Sequence, residues 1–421
     1  MGRDPPRRPK DSTIESIGLI ASNHNLPPDR SKTVGLIPAP DNVAVRSEPV
    51  RRVPSRRLDF LRGAAAFYVL IGHARGHFFA GGAHLSATQD LAGFDYVALA
   101  LLQLTSMGTE AVILFFVMSG FAMAHSFSRS ESLISFYKKR VIRIWPPYVA
   151  AVAIAFIFAG IILHTDDATK IADEVGRSSW DLSSAVLMIF YLEVITWLTA
   201  QFWSLPQEVL FYLLCPILVA GKNRVVLFTL MAAMLAVATI FKFGIINDPT
   251  FGNPQIIQHF ASLLIFFMLG ASTYHFQRYI PVLSGTELLV IFAMGFVSIW
   301  YVKYHIFGQW NLISSLMTAP LAILLIGNVP EKIFANRLLN WGYFSYSLYI
   351  VHMQLIVLIG YMIARVWKIE QLQMTSYWMW TLSIPPILAV SWLFYQITEK
   401  RCDAALRKIR DREKFLRGEI S

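Results

Sequence analysis

The sequence predicts an all-α polytopic membrane protein with about ten transmembrane helices in one bundle. Three observations lead to this fold class. Of the 421 residues, 55% are hydrophobic and only 15% are charged, whereas soluble domains carry about 25% charged residues. Apolar stretches of about 20 residues recur along the chain, which is the length needed to cross a hydrocarbon core of about 30 Å. Basic residues concentrate at the two ends and in alternate connectors, as the positive-inside rule requires.

Three regions follow from the distribution of apolar residues. Residues 1–57 contain no apolar run and are rich in Pro, Arg and Ser, so we predict a disordered basic cytoplasmic tail. This region lacks the apolar core and cleavage site of a signal peptide. Residues 58–399 form the predicted ten-helix membrane domain, and residues 400–421 form a second basic cytoplasmic tail.

The predicted membrane domain contains ten apolar spans: 58–79, 110–127, 143–164, 203–220, 224–243, 259–276, 283–302, 310–328, 341–366 and 377–397. With the amino terminus inside, the inner connectors are basic and the main outer connector is mostly acidic. This bias predicts a multi-pass protein of the inner membrane with both termini in the cytoplasm. Segment 183–199 could form an eleventh span, but an extra crossing would invert every later connector. We therefore predict an outer interfacial segment there.

Composition also argues against two classes of function. The formal net charge is +10, but the basic residues follow the topology pattern, so nucleic-acid binding is not expected. Cys215 lies in an apolar run, Cys402 lies in the basic tail, and the chain contains no CxxC or HExxH pattern. The sequence therefore predicts no metal site.

Polar side chains within the first span form the first candidate site. Inserting a charged side chain into the membrane costs at least about 2.5 kcal/mol, so each charged residue within a span requires a structural or functional explanation. The string LDFLRGAAAFYVLIGH contains Asp59, Arg62 and His73. A separation of eleven positions puts Arg62 and His73 on one helix face, about 16 Å apart along the axis. Arg62 could instead extend to the inner headgroups, and His73 could be a neutral, hydrogen-bonded core histidine.

The fourth span begins FWSLPQEVLFY and contains Glu208. Glu208 is expected about 8 Å below the outer surface. His73 is expected about 22 Å above the inner end of the first span, which in a core of about 30 Å is the same depth. A histidine and a carboxylate at one depth are typical of a general base with an orienting partner. A structural ion pair is the alternative. Asp59 and Tyr212 are possible supporting residues.

The ninth span begins WGYFSYSLYIVH and adds Ser345, Ser347 and His352. The serines favour close helix packing. His352 lies about 18 Å from the inner surface, which is within reach of the depth expected for His73. It is a weaker candidate than His73, and we assign Ser347 and His352 to possible supporting roles.

The inner loop before the third span reads FYKKRVIRIWPPY. Arg140 and Arg143, three positions apart, would share a helix face near the cytoplasmic surface. Two guanidinium groups can bind phosphates in bidentate fashion, as a nucleotide-bearing donor would require. Ordinary positive-inside charge explains the same residues equally simply.

Together these strings resemble the integral-membrane acyltransferase 3 family, which includes O-antigen, exopolysaccharide and Nod-factor acyltransferases. Five blocks carry the resemblance in order: LDFLRG…H, LFFVMSGF, FYKKRVIRIWPPY, WSLPQEVLFYLLCP and YSLYIVH. It implies acyl-CoA as donor substrate, acetyl-CoA above all, with no permanently bound cofactor. The implied acceptor is a hydroxyl of an envelope or exported carbohydrate, or of a glycolipid.

The resemblance also implies roles for individual residues. His73 is the expected base, Glu208 its catalytic partner, and Arg62, Arg140 and Arg143 the ligands of the donor. Direct transfer and a covalent acyl-histidine both fit these residues. The alternative function is a transporter or flippase that uses the buried Arg, His and Glu side chains as a proton relay. Internal duplication would favour that alternative, but the two halves of the sequence show no similarity.

Overall fold

The computed structural model describes residues 55–79, 87, 90–130, 132–165, 169–192, 197–220, 230–237, 240, 254–307, 312–334, 341–368 and 377–416. Within these ranges every regular element is helical. Residues 1–54 of the predicted tail 1–57, and most of the fifth predicted span, lie outside the described residues; residues 55–57 belong to the first helix. The division of the chain into two tails and one membrane domain stays a prediction.

The α-helices follow one another in this order: α1 Ser55–Phe78, α2 Gly93–Gln103, α3 Gly108–Phe127, α4 Leu133–Leu163, α5 Lys170–Gly176, α6 Leu182–Ile189, α7 Leu205–Ala220, α8 Pro254–Phe276, α9 Gly285–Tyr301, α10 Leu312–Asn328, α11 Glu331–Phe334, α12 Ser345–Trp367, α13 Tyr377–Ile397 and α14 Glu399–Leu416. The 3₁₀ segments Trp197–Ser204 and Trp341–Phe344 lead into α7 and α12, and the π-helical segment Val302–Phe307 extends α9.

Six helical stretches of the described chain are long and apolar enough to cross a membrane: Gly93–Phe127, Leu133–Leu163, Phe260–Tyr279, Gly285–Ile306, Trp341–Trp367 and Tyr377–Phe415. This is the architecture of a multi-pass membrane protein, as predicted. Nine of the ten predicted spans coincide with a described helix, and residues 230–237 of the remaining span are also helical. The α6 helix has eight residues, which rise about 12 Å, so it is too short to cross the membrane alone.

The structure corrects two sequence-based boundaries. The basic block predicted as an inner loop belongs to α4, which begins ten residues before the predicted span, at Leu133. The side chain of Ser132 caps this helix by accepting a hydrogen bond from the backbone N–H of Ser135. The tail after the last span also forms a helix, α14, because it carries buried residues at helical spacing, at Cys402, Leu406 and Glu413.

The bundle has a buried centre and a lipid-facing edge. In Trp341–Trp367 the apolar window is 78% buried, whereas in Gly285–Ile306 it is 11% buried. Most of the exposed side chains of the latter are apolar, as contact with lipid requires. At the centre, α3 and α8 meet at Gly120 and Gly270, where a Cβ atom would lie 1.8 and 1.9 Å from a backbone oxygen of the opposite helix. Only glycine allows this approach, which fixes α3 in the bundle.

Candidate active site

A cavity of about 630 Å³ lies between α1, α3, α4, α7, α12 and α14. One face of α3 lines it at helical spacing, from Val112 through Ser119 to Ser126. At the rise of an α-helix this face is about 21 Å long. The cavity is therefore an elongated channel that extends far into the bundle.

The two ends of this channel differ in charge. At one end lie the beginnings of α1, α4 and α12, the end of α3, and α14. The charged side chains in the wall are Arg62, Arg129, Lys139, Arg140, Arg143, Arg410 and Lys414 against Asp59, Glu208 and Glu413. Seven cations face three carboxylates, so the wall has a formal charge of +4. The far end is uncharged and is lined by Val112, Phe115, Ser204 and Tyr349.

Few contacts within the wall neutralise Arg62 and Arg140, which are half-buried. Arg62 Nη1 lies 3.8 Å from Asp59 Oδ1, and Arg140 Nη2 donates a 2.5 Å hydrogen bond to the neutral hydroxyl of Ser126. Arg140 Nε is buried without a hydrogen-bond partner among the described residues. Guanidinium groups in this condition favour an anionic ligand, because an anion supplies both charge and hydrogen-bond acceptors.

Glu208 lies midway along the channel and binds two hydroxyl groups. Ser119 Oγ donates to Glu208 Oε1 at 3.1 Å, and the Tyr212 hydroxyl donates to the same oxygen. The Ser119 and Tyr212 hydroxyl oxygens are 3.0 Å apart. This compact cluster joins α3 to α7 and presents a carboxylate to the channel.

The expected common depth of Glu208 and His73 is wrong. Glu208 is level with Ser119 in the middle of α3, whereas Gly72, next to His73, packs against the backbone oxygen of Thr105 before α3 begins. The reason is the buried 3₁₀ segment Trp197–Ser204, which precedes α7 and makes it begin deep in the bundle. Its residue Gln201 is fixed by hydrogen bonds to the backbone oxygen of Ile350 and the side chain of Gln354.

His73 is paired with His352 instead. His73 Nδ1 lies 2.9 Å from His352 Nε2, and the two rings stack with centroids 5.1 Å apart. His352 Nδ1 lies 2.7 Å from the backbone oxygen of Tyr349 and 3.2 Å from that of Leu348. Carbonyl oxygens only accept hydrogen bonds, so Nδ1 of His352 carries the hydrogen and its Nε2 accepts.

This tautomer determines which nitrogen of His73 is basic. Because His352 Nε2 accepts, His73 Nδ1 must donate. A neutral imidazole carries a single N–H, so Nε2 of His73 keeps a free lone pair. His352 is fully buried and His73 is half-buried. The pair is thus an oriented histidine base with a second histidine as its fixed acceptor.

Tyr349 lies between the channel and the histidine pair. It lines the uncharged end, and its ring centroid is 5.8 Å from that of His352. Its hydroxyl group lies 2.7 Å from Ser204 Oγ and donates to the backbone oxygen of Gln201. The cationic end therefore leads, through an uncharged section, to the neighbourhood of a basic histidine.

The structure brings most of the candidate residues together. Asp59, Arg62, Arg140, Arg143, Glu208 and Tyr212 share the channel, and His73 and His352 form the adjacent pair. Ser347 is elsewhere: its backbone N–H and hydroxyl donate to Glu399 Oε2, at 3.1 and 2.7 Å, where α14 begins. Their roles stay predictions. Sequence reasoning missed Arg410, Lys414 and Glu413 as channel residues, although the helical spacing of buried positions in the tail could have indicated them.

A multi-pass membrane protein with a cationic channel leading to a buried histidine pair is the class that this fold and site define. The chain belongs to the acyltransferase 3 family, whose acyltransferase-domain model matches residues 55–396. The resemblance carried by the five sequence blocks is thereby confirmed. The protein is an acyltransferase, and this class of enzyme implies an acyl donor and an acceptor.

Two relatives extend this finding. The chain is similar to an O-acetyl transferase of Shigella phage Sf6, with 25% identity over 352 residues that cover 82% of this chain and 96% of that protein. It is also similar to the acyltransferase MdmB of Streptomyces mycarofaciens, with 30% identity over 136 residues, 31% of this chain and 33% of that protein. No solved structure matches the chain significantly.

Proposed function

We propose that this protein is an O-acyltransferase of the inner membrane that moves an acyl group from cytoplasmic acyl-CoA to a hydroxyl of an envelope or exported carbohydrate. The proposed acyl group is acetyl, in line with the O-acetyl transferase of phage Sf6. Ten membrane helices and two cytoplasmic termini complete the proposal. The cationic end of the channel then opens to the cytoplasm, and the carbohydrate approaches His73 from the outer side.

The charge gradient along the channel is the observation that carries this proposal. Acyl-CoA has an anionic nucleotide at one end and a thin, uncharged arm that ends in the thioester. The channel has an excess of cations at one end and an uncharged section toward Tyr349. Arg62, Arg140 and Arg143 would bind the phosphates, and the arm would follow the face of α3, which at about 21 Å is long enough to hold it extended.

In direct transfer, the free Nε2 lone pair of His73 takes the proton of the acceptor hydroxyl. The hydroxyl oxygen attacks the thioester carbonyl carbon, a C–O bond forms, and the C–S bond breaks. The departing thiolate then receives the proton from His73. His352 keeps the ring oriented throughout, because its Nε2 accepts from His73 Nδ1 in either protonation state of His73.

Glu208 has a different proposed role from the one the sequence indicated. It holds the hydroxyl groups of Ser119 and Tyr212 beside the channel, where it would position the donor arm. A covalent route, in which His73 Nε2 first accepts the acyl group, uses the same geometry.

Replacing His73 tests the reaction. We expect His73→Asn to lower the rate of transfer by about 10²–10⁴-fold, the usual contribution of a general base. The measurement is acetyl-CoA-dependent thiol release, with mass analysis of the carbohydrate, in proteoliposomes that contain the full chain. The acceptor is carbohydrate extracted from a strain that lacks the protein.

His77→Asn is the matched control, since His77 is one turn further along α1 and packs against Trp197 at 5.3 Å between ring centroids. It should leave transfer nearly unchanged. Equal activity of the His73→Asn and wild-type proteins would refute the role of His73. Movement of a solute without thiol release in the wild-type protein would favour the transporter instead.

A further inference from the structure

The carboxyl-terminal helix α14 supplies a second set of cations to the channel. Arg410 and Lys414, four residues apart, share one face of α14 and line the cavity. Across the described residues, neither side chain lies within ion-pair distance of a carboxylate. Both side chains face the cavity in which the inner arginines lie.

Glu413 attaches α14 to the wall of the channel. Its side chain is buried, with 7% of the residue exposed, and it accepts hydrogen bonds from Lys139 Nζ at 2.5 Å and from the hydroxyl of Ser135. Glu413 thus balances Lys139, and it lies between Arg410 and Lys414 on the same helix. At the other end of the helix, Ser347 holds Glu399. Both ends of α14 are fixed in the bundle.

These contacts also give the position of Arg410 and Lys414 along the channel. Glu413 is level with Ser135 and Lys139 on α4, which precede Arg143 by between about 6 and 12 Å along the helix axis. The α14 cations therefore form an outer set. Arg140 follows Lys139 directly and begins the inner set, which Arg62 and Arg143 continue toward the histidine pair.

We propose that Arg410 and Lys414 bind the ribose 3′-phosphate of the CoA donor, while the inner arginines bind its pyrophosphate. This inference rests on the proposed function. In CoA the thioester arm joins the pyrophosphate, the pyrophosphate joins the 5′ position of the ribose, and the 3′-phosphate is on the far side of that sugar. The order of anionic groups along the ligand thus matches the order of the two cationic sets along the channel.

Paired binding measurements with CoA and dephospho-CoA, which lacks only the 3′-phosphate, test this assignment. The full-length protein in nanodiscs of neutral lipid should bind CoA about tenfold or more tightly than dephospho-CoA, because charge-assisted hydrogen bonds to one phosphate are lost. In the R410Q/K414Q variant this preference should fall to about onefold, with the affinity for dephospho-CoA unchanged. The single variants R410Q and K414Q should each lose part of it.

The matched control is K408Q/R412Q, which removes the same two residue types at the same spacing from positions of α14 that do not line the cavity. It should keep the wild-type preference. An unchanged preference in R410Q/K414Q, or an equal loss in the control, would overturn the assignment. The assignment would also be overturned if R410Q/K414Q lost the preference for CoA over dephospho-CoA only in nanodiscs that contain anionic lipid. The outer set would then bind lipid headgroups. Failure of the wild-type protein to bind either nucleotide would instead refute the proposed donor.

Discussion

Two groups of charged side chains lie within this bundle, and they differ in charge balance. In the first, Lys303 Nζ lies 2.8 Å from Glu110 Oε2, and the residues are 2% and 6% exposed. Lys303 also donates to the backbone oxygen of Ser106. In the second, the channel wall, seven cations face three carboxylates. The pair neutralises itself, whereas the channel wall keeps a formal excess of four positive charges.

This difference separates a structural group from a binding site. The Lys303–Glu110 pair joins the π-helical segment Val302–Phe307 to the start of α3, and a ligand would find no excess charge there. The channel wall retains an excess of positive charge, which we expect to cost stability because like charges repel and half-buried cations lose hydration. Such a cost is expected where the charges serve binding.

Removing two inner arginines is the most direct test of whether the channel wall is a binding site. We expect Arg140→Gln combined with Arg143→Gln to raise the KM for acetyl-CoA by about a hundredfold or more, since hydrogen bonds to charged groups contribute about 1.5–3 kcal/mol each. The KM for acetyl-pantetheine, which has no phosphates, should stay unchanged. Steady-state kinetics with both donors measures the split.

Lys138→Gln is the control for these arginines, because Lys138 is an exposed residue of the same helix that does not line the channel. It should leave both KM values unchanged. If the KM for acetyl-pantetheine rose as much as the KM for acetyl-CoA in the double variant, the two arginines would be structural residues rather than phosphate ligands.

Removing one member of the balanced pair should act on stability instead. Lys303→Met leaves a buried carboxylate without its partner, so we expect the free energy of unfolding to fall by about 3–5 kcal/mol. Lys303→Met with Glu110→Leu should recover most of that loss. Arg140→Met, which removes a cation whose charged neighbours include Arg62 and Arg143, should leave stability unchanged or raise it.

Thermal unfolding of the full chain in detergent compares these variants directly. If Lys303→Met with Glu110→Leu were as unstable as Lys303→Met alone, the Lys303–Glu110 pair would contribute more to stability than charge compensation. A large loss of stability in Arg140→Met would remove the distinction between the two groups.

The fold followed closely from the sequence because its signals are local. Apolar runs of about 20 residues gave nine spans that coincide with helices, and no tertiary contact can override the need to pair backbone groups in lipid. The spacing of Arg140 and Arg143 likewise gave their common face, since it depends only on helical geometry. The boundary of α4 was missed because a basic block in a connector and one in the second and third turns of a helix have the same composition.

The parts of the site that depend on tertiary structure could not be predicted in this way. The depth of Glu208 was misjudged because the buried segment Trp197–Ser204 has the composition of a spanning helix but is a 3₁₀ segment held by Gln201 and Ser204. The pairing of His73 with His352 joins residues 279 positions apart. Each histidine could be found from its own span, but their contact is set by the packing of α1 against α12.

The histidine pair yields the last and smallest expected effect. His352→Ala removes the acceptor that fixes the tautomer of His73, so Nδ1 or Nε2 of His73 can then carry the hydrogen. We expect kcat to fall about ten- to a hundredfold, as is usual when an orienting partner is lost, with the KM for acetyl-CoA unchanged. His352→Gln should retain more activity than His352→Ala, because the glutamine Oε1 can accept from His73 Nδ1 at the position of the lost Nε2.

Steady-state kinetics of the two variants separates orientation from packing, because His352 is fully buried and either change also perturbs the core. If the loss were due to packing alone, His352→Leu, which has no acceptor but fills the space, would be as active as His352→Gln. Greater activity of His352→Gln than of His352→Leu, at equal thermal stability, would instead show that the acceptor for His73 is what the reaction requires. The neutral histidine pair then differs from both charged groups, because it contributes neither net charge nor an ion pair but the placement of a single proton.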